Sequence, residues 1–378
     1  MATVSQKCEL VTRGLHHLHG SGPDSVAALL TEKERPRVAW AHVGYFVPLT
    51  KLVDFLRAGL EVTRGIDALG KVVVYYGDVY AFLVNYAVPM EQVAHRSEYY
   101  RFLVSAVLDA LGVPSSAVRH VEESSLANTK EWFIDLQKMS AAMTQQDARV
   151  TMEEVARTDR LSPMLCAIQQ TLSEAYLDLD IQFGGVDQKH LFLHAEKFLP
   201  AIGYRTRLHM MNPLIDGLDG LKMSSSKSAD TKIEFLDDTE TVERKIYGAA
   251  CPEGDLNSNG ILSLLRHVLL PVSRLWLERT LGQTHLNRLE GDGVSPADRR
   301  PFTSENAPEN AIFSVVGQDG ERHFETYEQL EEAFVSRKIS PEALKIATAA
   351  ALNRLLEPIR RGYHANEKWR AVEKLAYT

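Results

Sequence analysis

At 378 residues, with 45% hydrophobic and 24% charged side chains, the chain is long enough for two domains and has the composition of an ordinary globular protein. Its three cysteines, Cys8, Cys166 and Cys251, lack metal-like spacing, so neither a disulfide framework nor a metal site is expected. No stretch reads as a membrane span, cytoplasm is the expected compartment, and a net charge of −8 excludes indiscriminate nucleic-acid binding while leaving room for a local basic face.

In chain order, residues 23–34 read as a short helix and Arg37 to Trp40 as a brief apolar strand leading into His42-Val43-Gly44-Tyr45. The amphipathic run Phe46 to Leu56 follows, which places His42 and Gly44 at a predicted helix start. Unpaired amides and the positive dipole end favour phosphate there, and a glycine permits close approach. A buried or merely polar histidine is the bland alternative. Lys71 to Gly77 has the β-branched and aromatic composition of a buried parallel strand, and Asp78 then falls on the rim where open α/β sheets bind ligands. Helical patterns occupy Met90 to Leu111 and Leu126 to Gln146, and Ser162 to Tyr176 reads as a helix with a serine cap and proline in first position. The strand Asp180 to Phe183 meets the turn Gly184-Gly185, a second rim position.

Gly220-Leu221-Lys222-Met223-Ser224-Ser225-Ser226-Lys227 gathers lysine, glycine and serine hydroxyls into one polar loop. A mobile ammonium, hydroxyls and loop amides suit phosphoryl oxygens. Alone, the segment reads equally as a solvated serine-rich turn. Beyond residue 236 helices dominate, including Gly260 to Leu281 and Pro341 to Tyr363, around a Gly-, Asp-, Pro- and Asn-rich stretch, 282–320, that reads as an irregular connection. Arg360, Arg361, Lys368, Arg370 and Lys374 fit either RNA phosphate contacts or ordinary helix-end charge.

Together, His42-Val-Gly-Tyr and Leu221-Lys-Met-Ser-Ser-Ser226 resemble the HIGH and KMSKS signatures of class I aminoacyl-tRNA synthetases, in particular tyrosyl-tRNA synthetases of the eukaryotic and archaeal type. Asp54 to Gly59, Tyr99-Tyr100, Gln182 to Gln188, Ala195 to Pro200, Met211-Asn-Pro213 and Leu352 to Ile359 extend the likeness in the family's order. The resemblance implies an α/β fold. An N-terminal helical arm (1–34) would precede a Rossmann-like, doubly wound parallel sheet (35–235) and an α-helical anticodon-binding-like domain (236–378) carrying the irregular insertion 282–320. It also implies a homodimer, for which Met90 to Leu111 and Phe133 to Met143 offer apolar faces that serve a core equally well.

The chemistry the resemblance implies has two steps, adenylation of an amino acid by ATP, with Mg²⁺, and transfer of the acyl group to tRNA. Positioning and charge stabilisation carry such reactions. His42, Gly44, Lys222, Ser224, Ser225 and Ser226 match the nucleotide-handling catalytic positions, with Met223 beside them. Gly184, Gly185 and Asp187 match the ribose and adenylate region, although Asp187 also reads as a turn cap. Gln170 and Gln188 match the pair that holds the substrate ammonium, where the family's third group, a tyrosine, is Cys166. The tyrosine and aspartate that read the substrate hydroxyl stand as Ala39 and Ser173, and Asp78 completes the substrate rim.

A site built to hydrogen-bond a hydroxyl rejects the analogue lacking it by roughly 10⁴ to 10⁵, so losing both readers removes that preference. The pocket is expected to be larger at Ala39 and Ser173, to retain one serine hydrogen bond, and to take an amino acid other than tyrosine, bulkier or differently polar. Only Ala41 separates Trp40 from His42, where the family has a longer Thr-Thr-Gly-Arg-Pro-like segment, and Glu61 to Gly70 is inserted ahead of the next strand. The expected function is ATP-dependent activation of an amino acid, with tRNA as one acceptor. The alternatives are a biosynthetic paralogue with another acceptor and an inactive binding protein.

Overall fold

The computed structural model describes residues 3–33, 36–41, 72–112, 118–221, 228–281, 300–318 and 320–377. The chain forms two compact units, one of residues 1–105, 115–213 and 368–378, the other of residues 106–114 and 214–367.

The first unit is built on a six-stranded sheet with the order β1 (His16–His17), β6 (Leu208–Asn212), β5 (Ile181–Gly185), β2 (Val38–Ala41), β3 (Val72–Tyr76), β4 (Val118–Glu122). β2 to β6 run parallel and β1 caps the edge antiparallel to β6. After β2 the chain winds outward through β3 and β4, then returns to the other side of β2 through β5 and β6. The direction reverses between β2 and β5, where Ala39 pairs with Gln182 and Trp40 with Phe183. Open α/β sheets bind ligands at the carboxyl ends of strands at such a switch point.

The helices of this unit are α1 (Val4–Thr12), α2 (Pro23–Glu32), α3 (Asp78–Val84), α4 (Met90–Ala110, whose last turns belong to the second unit), α5 (Glu123–Ala127), α6 (Lys130–Ala142), α7 (Gln145–Arg149), α8 (Glu153–Ala156), α9 (Leu161–Met164), α10 (Cys166–Tyr176) and α11 (Lys189–Ala201). The expected helix over Leu126 to Gln146 is three helices, because Thr129 and Thr144 accept hydrogen bonds from the amides of Trp132 and Asp147 and so restart the chain as N-caps. Ser162 is likewise not a cap. Its helix runs from Leu161 to Met164, and Leu165 joins it to α10, which begins at Cys166. Asp180 stands just outside β5, and its carboxylate receives Lys33 Nζ at 2.6 Å, Arg205 at 2.7 Å and the Arg37 amide at 2.9 Å.

Three buried arrangements fix α3, α5 and α10. Trp132, Met139, Ile168, Leu172, Ala195, Phe198 and Leu199 pack α6, α10 and α11 into one apolar cluster. His209, on β6, lies 3.1 Å from Glu174 of α10 and 3.3 Å from Glu196 of α11. Burial alone would lower the His209 pKa, but Glu174 and then Glu196 raise it to about 9. At the ends of β3 and β4, two carboxylates cap each other's helices. Asp78, first residue of α3, accepts the Ser124 amide at 2.9 Å, and Glu123, first residue of α5, accepts the Tyr80 amide at 2.7 Å. Neither helix has a side-chain cap from its own N-cap residue. Burial first, and Asp78 as a lesser contributor, raise Glu123 to about 7 against the bonds it accepts.

The second unit contains α12 (Thr239–Gly248), α13 (Gly260–Leu264), which runs through a π segment (Leu265–Leu269) into α14 (Leu270–Thr280), the hairpin β7 (Phe313–Gly317) and β8 (Gly320–Phe324), α15 (Tyr327–Val335) and α16 (Pro341–Ala365). β7 lies inside the stretch read from sequence as irregular. Phe313 and Val315 are buried while Val316 is exposed, a short two-residue alternation that the turn-rich surroundings hide. Of that stretch, residues 282–299 lie outside the described residues. Gly260–Glu278 is long and apolar enough to cross a membrane, contrary to the sequence expectation, but 72% of the window is buried within the protein. Two residues before Lys222, Gly220 has φ +73°, and a Cβ there would collide with the Ser258 carbonyl. Arg360 is buried and donates to Asn353 at 2.7 Å, so it is a packing arginine rather than an RNA contact. α17 (Glu367–Tyr377) returns the chain from Lys368 onward to the first unit, where Lys368 pairs with Glu98 at 2.7 Å and Trp369 stacks on Phe102.

Both raised groups give stability a pH signature. A group whose folded pKa exceeds its unfolded value contributes stability below the unfolded pKa and loses it as pH rises through the folded one. For Glu123 the loss runs from about 4.5 to about 7. Glu123→Gln keeps an acceptor for Tyr80 without the charge, so in urea unfolding it should gain on the wild type by on the order of 1–3 kcal/mol between pH 5 and 8. A constant difference contradicts the assignment. For His209 the window runs from about 6.5 to about 9. His209→Leu should cost about 3–5 kcal/mol at pH 6, by leaving Glu174 buried and unpaired, and progressively less toward pH 10.

Candidate functional site

Cys166, Gln170 and Ser173 follow one another at spacings of four and three along α10 and therefore share one face. At its start the buried Cys166 thiol points at the Tyr80 carbonyl, 3.8 Å away, and burial, then Glu123, pushes its pKa up to about 12. It is a neutral thiol in this position. Gln170 donates to Gln188 Oε1 at 3.3 Å, so the expected pair does come together, one amide from α10 and one from the turn after β5. Ser173 donates to the Gln170 carbonyl at 2.7 Å. The serine hydrogen bond expected for a ligand is therefore made within the helix.

The turn after β5 is tight. Val186–Gln188 form a 3-10 turn leading into α11, and a Cβ on Gly184 would come 3.0 Å from Phe192 and 3.3 Å from Gln188. Gly184 thus lets the Phe192 ring and the Gln188 side chain lie against the strand end. Gly185 stands next, and a Cβ there would meet the tip of the Asp187 carboxylate. Asp187 is exposed, with its carboxylate lying back over Gly185. Asp78, expected on the substrate rim, is instead buried and engaged with the Ser124 amide.

Ala39 does not open the space expected of it. It is buried in one cluster with Tyr75, Val121, Leu177 and Leu179. Tyr75 pairs in register with the residue two positions after Ala39, and since side chains alternate along a strand, Ala39 and Tyr75 share one face of the sheet. The Tyr75 hydroxyl lies by Ser173 and Glu123 without a hydrogen bond of normal geometry, and burial raises its pKa well above the ordinary value. Nearby, the Tyr80 hydroxyl contacts the Met152 sulfur.

His42, Gly44, Lys222, Met223, Ser224, Ser225 and Ser226 lie outside the described residues. Among the described residues no group of three or more His, Cys, Asp or Glu side chains is arranged to hold a metal ion. The sequence reading missed Tyr75, Glu123 and Gln182. Tyr75 was visible only as one of two adjacent tyrosines ending an apolar run, and its face is set by the register with β2. Glu123 was hidden in a polar string, Glu122 to Ser125.

The family model for class I tRNA synthetases (W and Y) matches residues 38–357. The cytoplasmic tyrosine--tRNA ligase of Gallus gallus is 34% identical over 372 residues, covering 96% of this chain and 62% of that protein. That of Saccharomyces cerevisiae is 35% identical over 340 residues, covering 89% of this chain and 77% of the relative. The chain thus spans less than two thirds of the length of the vertebrate relatives it matches. Among solved structures, the tyrosyl-tRNA synthetase of Archaeoglobus fulgidus complexed with L-tyrosine superposes with a TM-score of 0.75 at 28% identity, covering 96% of this chain and 99% of that one. The switch-point sheet, the Gln170–Gln188 pair and these matches agree, and the chain belongs to the class I tRNA synthetase family of the tryptophan and tyrosine type.

Proposed function

We propose that the protein uses ATP to activate an α-amino acid as an aminoacyl adenylate, and that this amino acid is not tyrosine. The observation that carries the first part is the Gln170–Gln188 pair at the switch point of a family fold. Two amides from different elements converge where an ammonium and a carboxylate can be held, with each amide offering both donors and an acceptor. A carboxylate oxygen of the bound amino acid attacks the α-phosphorus of ATP, the acyl–phosphate bond forms and pyrophosphate leaves with the electrons of the broken P–O bond. The phosphate contacts are assigned to His42 and Gly44, and the β- and γ-phosphates to Lys222 with Ser224, Ser225 and Ser226, with Met223 as their neighbour toward the nucleotide. Gly184, Gly185 and Asp187 line the ribose side. Mg²⁺ would arrive on the nucleotide phosphates, as that ion commonly does, rather than on a resident cluster.

The second part rests on three residues. Cys166 is a neutral thiol bonded toward Tyr80, Ser173 is satisfied within α10, and Ala39 carries no polar group. No hydroxyl reader stands among them, so tyrosine loses the discrimination that a built hydroxyl site supplies. The acceptor of the acyl group is tRNA, which the helical region 236–378 would bind, and the expected compartment is the cytoplasm, the location in the relatives' names. A homodimer is supported by α6, which turns Trp132 and Met139 inward and leaves Phe133 and Ile134 exposed.

Amino-acid-dependent exchange of labelled pyrophosphate into ATP across all proteinogenic amino acids tests this reading. Exchange is expected with at least one amino acid other than tyrosine, and tyrosine as the sole active substrate contradicts it. Exchange without acylation of tRNA replaces the tRNA acceptor by another nucleophile, and no exchange with any amino acid leaves only a binding role. Lys222→Ala should lower exchange by about 10²-fold or more. An unchanged rate rejects the phosphate role of the loop.

A further inference from the structure

We infer that Tyr75 is a built-in plug that sets substrate size, and that the site takes an amino acid with a short side chain carrying a hydrogen-bond donor. This rests on the amino-acid-activation reading above and names its substrate class. It also reverses the expectation of a larger pocket.

Ala39 and Ser173 are small residues that both lie beside Tyr75, Ala39 in one apolar cluster with it and Ser173 near its hydroxyl, and without that ring two such residues would leave a void where protein interiors are close-packed. The void is filled from the adjacent strand. Tyr75 is almost wholly buried, packs against Ala39, Val121, Leu177 and Leu179, and brings its hydroxyl to Ser173. A large side chain on β3 compensates for a small one on β2, the volume-conserving exchange that cores tolerate best. The protein's own phenol ring therefore lies where the sequence alone left room for a ligand's.

Reach follows from helix geometry. The amide of Gln170 marks the ammonium end of the site, and Ser173, beside the tip of Tyr75, stands three residues further along α10. At a rise of 1.5 Å per residue this separation is about 4–5 Å, enough for roughly two or three side-chain atoms and too little for a phenyl ring. The polar preference comes from Gln182. It pairs directly with Ala39, so its side chain leaves the sheet on the same face, it is almost wholly buried, and its Oε1 has no hydrogen-bond partner among the described residues. Buried acceptors are ordinarily satisfied, and a hydroxyl or amide on a short substrate side chain would satisfy this one. Serine, threonine and asparagine have that chemistry.

The test needs a readout that does not depend on activation. Calorimetric titration of the full chain with serine, threonine, asparagine, alanine, phenylalanine and tyrosine measures binding, and pyrophosphate exchange with the same panel measures activation. The wild type should favour the short donor-bearing amino acids over phenylalanine and tyrosine by about tenfold or more in binding. Tyr75→Phe, which keeps the ring, should preserve the ranking, whereas Tyr75→Leu should raise phenylalanine relative to serine by about tenfold or more. Gln182→Leu should bring serine down to alanine. Wild-type protein that binds phenylalanine or tyrosine as tightly as serine overturns the inference without any variant being needed. So does an unchanged ranking in Tyr75→Leu, or absence of binding by wild type and Tyr75→Leu alike. The expected binding ranking without exchange leaves the plug standing and retires the activation reading.

Discussion

Two buried carboxylates that cap each other's helices hold this site in shape. Asp78 closes the N-terminus of α5 and Glu123 closes that of α3, so the first turns of both helices are tied together at the carboxyl ends of β3 and β4. Each bond satisfies amides that would otherwise be orphaned at a helix start, and each places negative charge at a positive dipole end. Burial first, and the nearby Asp78 carboxylate as a lesser contributor, make Glu123 resist ionisation. Everything around the amino-acid site leans on it. Tyr80, whose amide Glu123 accepts, presents its carbonyl to Cys166, and Tyr75 lies two residues before Gly77, where α3 begins.

The other wall of the site is set by α10. Glu174, one turn beyond Gln170, is clamped to His209, and Trp132 and Gln169 join α10 to α6 through a 3.2 Å hydrogen bond. With α10 held from both sides, Gln170 meets Gln188 and Ser173 meets Tyr75 without either contact having to supply the order itself. A hydroxyl bonded within its own helix and a thiol aimed at a carbonyl are poor ligand readers. On the proposed reading, specificity would pass instead to shape, through Tyr75, and to the Gln182 Oε1 beside Ala39, an acceptor without a partner among the described residues.

Much of the fold was legible in the sequence because its signals are local. The apolar strands, the glycine turn after β5 and the amphipathic helices follow from composition and period. The motif order carried the family. What failed was of a different kind. Thr129 and Thr144 break a continuous helical pattern by competing for backbone amides, a choice that periodicity does not register. The strand Phe313–Gly317 is too short and too close to turn residues to announce itself. At the site, the sequence reading expected open space at Ala39 and Ser173 but not the ring that lies beside them. Compensation between Ala39 and Tyr75 joins positions on neighbouring strands, and only the register reveals that they share a face.

The central claim is that the protein supplies an aromatic ring of its own inside its amino-acid site. A crystal structure of the full chain with its preferred amino acid and a non-hydrolysable ATP analogue tests this directly. The ring of Tyr75 should lie between Ala39 and Ser173, with the ligand's ammonium on Gln170 and Gln188 and its short side chain ending at the ring. A structure in which Tyr75 has swung out and an aromatic ligand side chain occupies its place would contradict the account.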